Sequence, residues 1–100
     1  MNETTPLTNN ESNRQFEMTV DGKPAFIAYR PQGDNVLVLT HTEVDPMLEG
    51  KGVGSKLVEQ TLQYIDSHGM KIVSACPFVS AYIKRHPDWQ RILVEDQAGV

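Results

Sequence analysis

The most informative stretch of the chain is residues 35–76, NVLVLTHTEVDPMLEGKGVGSKLVEQTLQYIDSHGMKIVSAC. It begins with a run rich in Val, Leu and Thr that ends at Val44. The middle of this run is apolar at successive positions, which predicts a central strand covered on both faces. After a glycine-rich break, apolar residues recur at the spacing of an amphipathic helix, which Gly69 ends. Residues 71–76 form a second apolar strand. Because a strand, a helix and a strand in succession make a right-handed crossover, we expect the two strands to be parallel.

Two further strands precede this unit. Residues 14–20 alternate apolar and polar side chains, which predicts a half-buried strand. Asp21-Gly22 is a two-residue hairpin signal, and residues 23–30 continue as a second strand. Residues 31–35 then predict a turn into the central strand. The first three strands should therefore form an antiparallel meander.

A second helix follows the crossover. It should begin at Pro77, which suits the first turn of a helix, and run to about Arg85. Residues 88–94 are expected to pack back on the core as a short helix or strand. We therefore predict an α/β fold with a mixed, mostly antiparallel sheet: a three-stranded meander, then a helix, a parallel strand and a helix.

The length of 100 residues fits one domain, which we place at residues 14–94. After Met1, the segment of residues 1–13 contains one large apolar residue, Leu7, and we expect this segment to be a disordered arm. Residues 95–100 are expected to be a frayed tail. The start of the chain lacks the apolar stretch of a signal peptide, so a cytoplasmic protein is expected.

Composition excludes several classes of protein. A formal net charge of −4 argues against binding nucleic acid or an anionic membrane across the whole surface. The single cysteine, Cys76, rules out an internal disulfide framework and a cysteine-based zinc cluster. No apolar run approaches the roughly 18 residues of a membrane span.

The glycine-rich break predicts an anion site. It reads Glu49-Gly50-Lys51-Gly52-Val53-Gly54-Ser55 and lies between a strand and the start of a helix. Glycine lets the backbone approach a ligand closely, and the first amides of a helix have no internal partners. Together they favour a phosphate group, although a tight turn without a ligand is the alternative. The spacing matches neither a P-loop nor the dinucleotide fingerprint.

The same residues carry a family resemblance. The segment from Glu49 to Gly54 resembles the Arg/Gln-x-x-Gly-x-Gly/Ala motif of the GNAT superfamily, the acyl-CoA-dependent N-acetyltransferases. A longer pattern is similar to that of a small single-domain subfamily, with HTEV at residues 41–44, GKGVGSKL at 50–57, CPFV at 76–79 and YIKRHP at 82–87. The resemblance covers residues 16–94.

The resemblance implies a GNAT-like fold and transfer of an acetyl group from acetyl-CoA to an amine. It places the pyrophosphate of coenzyme A on the backbone amides of residues 50–55. It also places the pantetheine arm between the central strand and the strand parallel to it, against the backbone near Val44. The amine acceptor, a small molecule or a protein lysine, and the oligomeric state are left open.

Two departures from the family pattern support a second hypothesis. Glu49 stands where the motif prefers Arg or Gln and would face phosphate, although Lys51 beside it could compensate. The chain also lacks the first helices that often build the acceptor pocket. A small coenzyme-A- or acyl-CoA-binding module with little or no transferase activity is therefore the alternative. An RNA-binding loop would need Gly-x-x-Gly and a basic face, and the chain has neither.

Cys76 and Tyr82 are candidate catalytic residues. Cys76 precedes Pro77 at a predicted helix start, where the helix dipole stabilises a thiolate, so it could carry an acetyl group; the alternative is a small buried side chain. The resemblance implies that Tyr82 protonates the departing thiolate, and core packing is the alternative. Phe78, Tyr82 and Arg85 share one predicted helical face, so that Arg85 could contact a phosphate at the nucleotide end.

His41 is the candidate base. It shares one face of the central strand with Glu43 and Asp45, and its ring could take a proton from an incoming ammonium group, directly or through water. The same three residues could hold a metal ion, but a polar strand end is the ordinary reason for such a pattern. We predict no metal site.

Overall fold

The structure is a computed structural model that describes residues 5–94. Its sheet has five strands: β1 Thr8–Asn10, β2 Gln15–Val20, β3 Lys23–Gln32, β4 Val36–Val44 and β5 Lys71–Ser74. Two α-helices, α1 Val53–Ser67 and α2 Pro77–Arg85, are accompanied by two 3-10 turns, Pro46–Leu48 and Pro87–Ile92.

The strands lie in the order β1-β2-β3-β4-β5. Every neighbouring pair is antiparallel except β4 and β5, which are parallel and joined through α1. The predicted meander, crossover and mixed sheet are confirmed. The β2–β3 hairpin turns at Asp21 and Gly22, whose φ angles of 52° and 78° are those of the type I′ turn that Asp-Gly favours.

The core lies between the sheet and the two helices. One face of β2 and β3 contributes alternate side chains, and α1 contributes the apolar positions that recur every three or four residues. The largest fully buried side chains include Phe16, Ile27, Leu39, Leu62 and Ile72. In β4 the successive residues Leu37, Val38 and Leu39 are all buried, as the sequence predicts for a strand covered on both faces. Among the described residues, no helix is both long and apolar enough to cross a membrane.

The expectation of a disordered arm is wrong for the described part of residues 1–13. Thr8–Asn10 forms β1, which pairs with β2, and Leu7 packs against the core. The Thr5 amide also donates to the Thr19 carbonyl at 2.9 Å. These backbone hydrogen bonds pair the outer edge of β2. A polar edge strand that is held by backbone hydrogen bonds shows no apolar pattern in the sequence, so it could not be predicted from composition. Residues 1–4 and the predicted tail at residues 95–100 lie outside the described residues.

The last part of the described chain closes the far edge of the sheet. β5 ends at Ser74, two residues earlier than predicted, although the Ala75 amide still donates to the Leu39 carbonyl at 3.0 Å. Residues 88–94, predicted as a short helix or strand, contribute to a 3-10 turn and then to a single parallel bridge between Leu93 and Ile72.

Candidate functional site

The parallel partner of β4 covers only part of that strand. β5 pairs with Val36 to Leu39, whereas β4 continues to Val44 with β3 alone beside it. The Asp45 amide donates to the Pro24 carbonyl at 3.1 Å, so it points toward β3. Because backbone groups alternate in direction along a strand, the N–H and C=O groups of Thr42 and Val44 point to the open edge. An extended ligand can therefore hydrogen-bond there as an extra strand would.

This open edge is one wall of a groove of about 470 Å³. The other walls are the loop after β4, the start of α1 and the Phe78 side chain of α2. Seven of the predicted site residues line the groove: His41, Val44, Gly50, Gly52, Val53, Gly54 and Ser55. Lys51, Cys76, Tyr82 and Arg85 are not among its lining residues.

The loop shapes the end of the groove through its backbone. Gly50 and Gly52 have φ angles of 81° and 73°, in the left-handed region that glycine adopts without strain. Gly52 is also the N-cap of α1, and its carbonyl accepts the first helical hydrogen bond, from the Lys56 amide at 3.1 Å. The amides of residues 53–55 consequently have no partner within the helix. Three free amides at the positive end of a helix dipole are suited to a phosphate group.

Gly54 serves a different purpose. A Cβ atom at this position would lie 2.5 Å from Cζ of Phe78, so the missing side chain makes room for the aromatic ring. Phe78 is 42% exposed, whereas Tyr82, one helical turn later, is 3% exposed. The predicted common face of Phe78 and Tyr82 therefore lies partly in the groove and partly in the core. Phe78, Thr42 and Leu48 are lining residues that the sequence analysis missed.

The charged side chains of the groove are acidic. Glu43 and Glu49 line it, and among the described residues no lysine or arginine does. His41 Nε2 lies 3.8 Å from Glu43 Oε1, and both side chains are mostly exposed. Lys51, expected to compensate for Glu49, does not line the groove. The backbone at the start of α1 thus attracts an anion, while the nearby side chains favour a cation.

Cys76 lies behind the wall of the groove. It is the N-cap residue of α2 and is 4% exposed. Its Sγ atom is 3.2 Å from Oγ1 of Thr42, which does line the groove. The thiol therefore does not line the groove, but it contacts a hydroxyl group that does.

Tyr82 faces away from the groove, toward α1. Its hydroxyl donates to Oε2 of Glu59 at 3.4 Å, and its ring lies 4.3 Å from that of His86. Burial raises the pKa of Tyr82, and the charge and hydrogen bond of Glu59 raise it further. Arg85 is exposed near the end of α2. The structure therefore does not bring Tyr82 and Arg85 to the groove residues.

No three His, Cys, Asp or Glu side chains in residues 5–94 are grouped so as to hold a metal ion. His41 and Glu43 are neighbours on β4, but Asp45 instead caps the following 3-10 turn by accepting from the Met47 amide at 2.9 Å.

Comparison with known proteins identifies the class to which this fold and groove belong. The family model for GCN5-related N-acetyltransferases matches residues 15–92. The chain therefore belongs to the GCN5-related N-acetyltransferase family.

The individual relatives share about a quarter of their aligned residues with this chain. The chain is 28% identical to Protein NATD1 of Mus musculus over 76 aligned residues. The alignment covers 74% of this chain and 69% of that protein. Protein NATD1 of Xenopus tropicalis is 26% identical over 76 residues, with 74% and 70% covered. A GCN5-like protein of Staphylococcus aureus, solved by NMR in solution, superposes with a TM-score of 0.67 at 26% identity and covers 88% of this chain and 86% of its own.

Proposed function

We propose that this protein transfers an acetyl group from acetyl-CoA to a primary amine. The observation that carries the proposal is the open edge of β4, which faces three free amides at the start of α1 across one groove. Coenzyme A combines a chain of amides with a pyrophosphate, and this groove offers a complement to each. Family membership supports the choice of an acyl-CoA over other phosphate-bearing ligands.

In this proposal the donor lies along the groove. Its pyrophosphate accepts hydrogen bonds from the amides of residues 53–55, with Gly50 and Gly52 shaping the loop beside it. Its pantetheine arm pairs with the backbone of Thr42 and Val44. Lys51 and Arg85 remain proposed phosphate contacts from the sequence, but neither lines the groove.

The proposed chemistry begins with a neutral amine. The amine nitrogen attacks the thioester carbonyl, the carbon–sulfur bond breaks, and the departing thiolate takes up a proton. His41, exposed at the groove, is the proposed base that takes the proton from the ammonium group, directly or through water. Glu43 and Glu49 would attract the cationic acceptor, which is either a small molecule or a protein lysine.

The last step needs a proton donor for the departing thiolate. Tyr82 is the proposed acid, and its raised pKa keeps the phenol protonated at neutral pH. Its hydroxyl nevertheless faces Glu59, so its position does not favour the role. Cys76 is proposed to be a neighbour of the thioester and not an acetyl carrier, because its buried thiol does not line the groove. A cytoplasmic location stays a prediction from the sequence.

A second candidate is a coenzyme-A-binding module with little or no transferase activity. Two acidic side chains at the groove and the positions of Cys76 and Tyr82 outside it favour this alternative. It predicts the same ligand but no turnover.

The deciding experiment measures thiol release from acetyl-CoA with a panel of primary amines, alongside coenzyme A binding by calorimetry. Amine-dependent release supports the transferase, and binding without release for any amine supports the module. An absence of binding would reject both. Cys76→Ser then separates the routes: direct transfer predicts a change of a few fold at most, whereas an acetyl-cysteine relay predicts a loss of about a hundredfold, roughly 2.7 kcal/mol of barrier.

A further inference from the structure

A second cavity lies at the other end of the sheet. It has a volume of about 280 Å³ and sits beside Leu37, near the start of β4, whereas the groove lies beside Val44 at the end of that strand. At the rise of an extended strand these two residues are about 20 Å apart. The two sites share no lining residue among those described. Nothing in the proposed acetyl transfer uses this second cavity, which we call the aromatic cavity.

Three of its ten lining residues are aromatic. Tyr29 of β3 and Tyr64 of α1 line it together with His68, whose ring stacks on Tyr64 at 4.1 Å between centroids. Behind them, the buried ring of Phe16 contacts Tyr29 at 4.9 Å and Tyr64 at 5.3 Å. The Tyr29 hydroxyl donates to Oδ1 of Asn9 at 2.7 Å. The rings are therefore held in place from behind and from the side before any ligand arrives.

Charges near the aromatic cavity are predominantly negative. Glu11 and Asp34 line it, both on exposed turns, and within residues 5–94 no lysine or arginine does. The C-terminal end of α1, which has a negative partial charge, lies beside it at His68. Burial raises the pKa of Tyr29 and the hydrogen bond to Asn9 opposes this, while the Glu11 charge raises the pKa and the Arg14 charge lowers it by smaller amounts. The lining of the cavity therefore carries two carboxylates and, among the described residues, no lysine or arginine to neutralise them.

We infer that the aromatic cavity binds an organic cation with a methylated ammonium head group. Such a cation is attracted to the faces of tyrosine rings. Its methyl groups replace N–H donors, so it is more weakly hydrated than an unmodified ammonium group. The two carboxylates supply the counter-charge at the entrance. The cavity volume of about 280 Å³ lies just below the usual range for ligand sites, which suits a head group of a few carbon atoms. A free quaternary amine and a methylated lysine side chain share this chemistry.

The test is an NMR titration of the full chain with choline and with its neutral carbon analogue, 3,3-dimethylbutanol. Choline should shift the resonances of Tyr29, Tyr64 and His68 and leave those of residues 50–55 unchanged. The analogue should bind at least fivefold more weakly. A short glycine-flanked peptide with trimethyllysine forms a second arm, and the tighter of the two cationic probes identifies the source.

Variants separate charge from shape. Glu11→Gln combined with Asp34→Asn should weaken choline binding at least fivefold, and because both residues are exposed the fold should be retained. Asp88→Asn removes an exposed carboxylate elsewhere and should leave the affinity unchanged. Tyr64→Phe should retain binding, whereas Tyr64→Leu should lose it. Equal binding of the neutral analogue, no effect of the charge variants, or shifts confined to residues 50–55 would each overturn the inference.

Discussion

The two halves of β4 differ in almost every property although they belong to one strand. From Val36 to Leu39 the strand has β3 on one side and β5 on the other, and three successive side chains are buried. From Thr40 to Val44 only β3 remains, the side chains are exposed or half-buried, and alternate backbone groups are unpaired on the side away from β3. We call these the paired half and the open half.

The difference separates stability from binding along a single element. The paired half contributes buried apolar surface, which stabilises the fold in proportion to the area removed from water. The open half contributes little to the core but holds its backbone rigid through β3, so the unpaired groups are positioned before a ligand binds. Substitutions should therefore divide into those that lower stability and those that lower coenzyme A affinity.

The largest expected effect is in the paired half. Leu39 is fully buried, so Leu39→Ala should lower the free energy of unfolding by about 2–5 kcal/mol, through lost burial and the cavity left behind. Thr40→Ala, at the adjacent exposed position of the open half, removes a 3.3 Å hydrogen bond to the Ala28 carbonyl and should lower it by no more than about 1 kcal/mol. Urea denaturation measures both. Equal losses in the two variants would contradict the division of the strand.

The next effect tests the loop at the end of the open half. Gly52→Val places a β-branched residue at a φ of 73°, which should cost about 1–2 kcal/mol of stability. It should also weaken coenzyme A binding about tenfold, roughly 1.4 kcal/mol, because the strained loop no longer presents the amides of α1 correctly.

Gly69→Val is the matched control for that variant. Gly69 has a φ of 71° and, like Gly52, nothing within 4 Å of a Cβ atom, but it follows the other end of α1. Its loss of stability should match that of Gly52→Val, with coenzyme A affinity retained in the folded protein. If calorimetry finds the same loss of affinity in both variants, the loop has no specific role in binding.

The sequence predicted the parts of this comparison that depend on local pattern. Apolar runs of different period identified β4, α1 and β5, and Asp21-Gly22 identified the hairpin. The order strand–helix–strand then determined the parallel pairing. The position at which that pairing stops was not predictable, because it depends on where β5 ends in space and not on any residue of β4.

The errors have a common physical cause. β1 was missed because Thr8–Asn10 is polar and is ordered by backbone hydrogen bonds to β2. Phe78 was grouped with Tyr82 by helical spacing, yet the ring turns toward Gly54 and the groove. In each case the outcome depends on a neighbour that is distant in sequence. The turn at the glycine loop and the helix start beside it were predicted because both are local properties, whereas the binding of an anion there stays a prediction.

A smaller effect is expected at Glu49, which lines the groove and for which no side-chain partner is found in residues 5–94. Glu49→Arg should tighten coenzyme A binding by about 1 kcal/mol at low ionic strength, since a cation replaces an anion near the phosphates. The gain should shrink as salt is added. Asp88→Arg makes the same charge change on a distant turn. Should it tighten binding equally, the effect would be one of net charge and not of the site.

The smallest effect is expected for an ion pair that lies away from the groove. Asp66 of α1 accepts two hydrogen bonds from the Arg91 guanidinium, both of 2.7 Å, which tie α1 to the turn that follows α2. The hydrogen bonds from Arg91 hold the pKa of Asp66 below its usual value of 3.8. The folded state therefore favours the carboxylate. The resulting stability is present above pH 3.8 and is lost as the pH falls through the lower folded pKa.

Asp66→Asn should accordingly lower the melting temperature slightly at neutral pH and make no difference in strong acid. Because Arg91 is 58% and Asp66 is 36% exposed, water screens the pair and the loss should be small. Arg91→Gln should cause the same small loss, and the double variant should add little to either, since the two residues share one interaction. Coenzyme A affinity should be unchanged in all three, because neither residue touches the groove. A difference between Asp66→Asn and the parent chain that persisted at low pH would show that Asp66 stabilises the fold through its shape and not its charge.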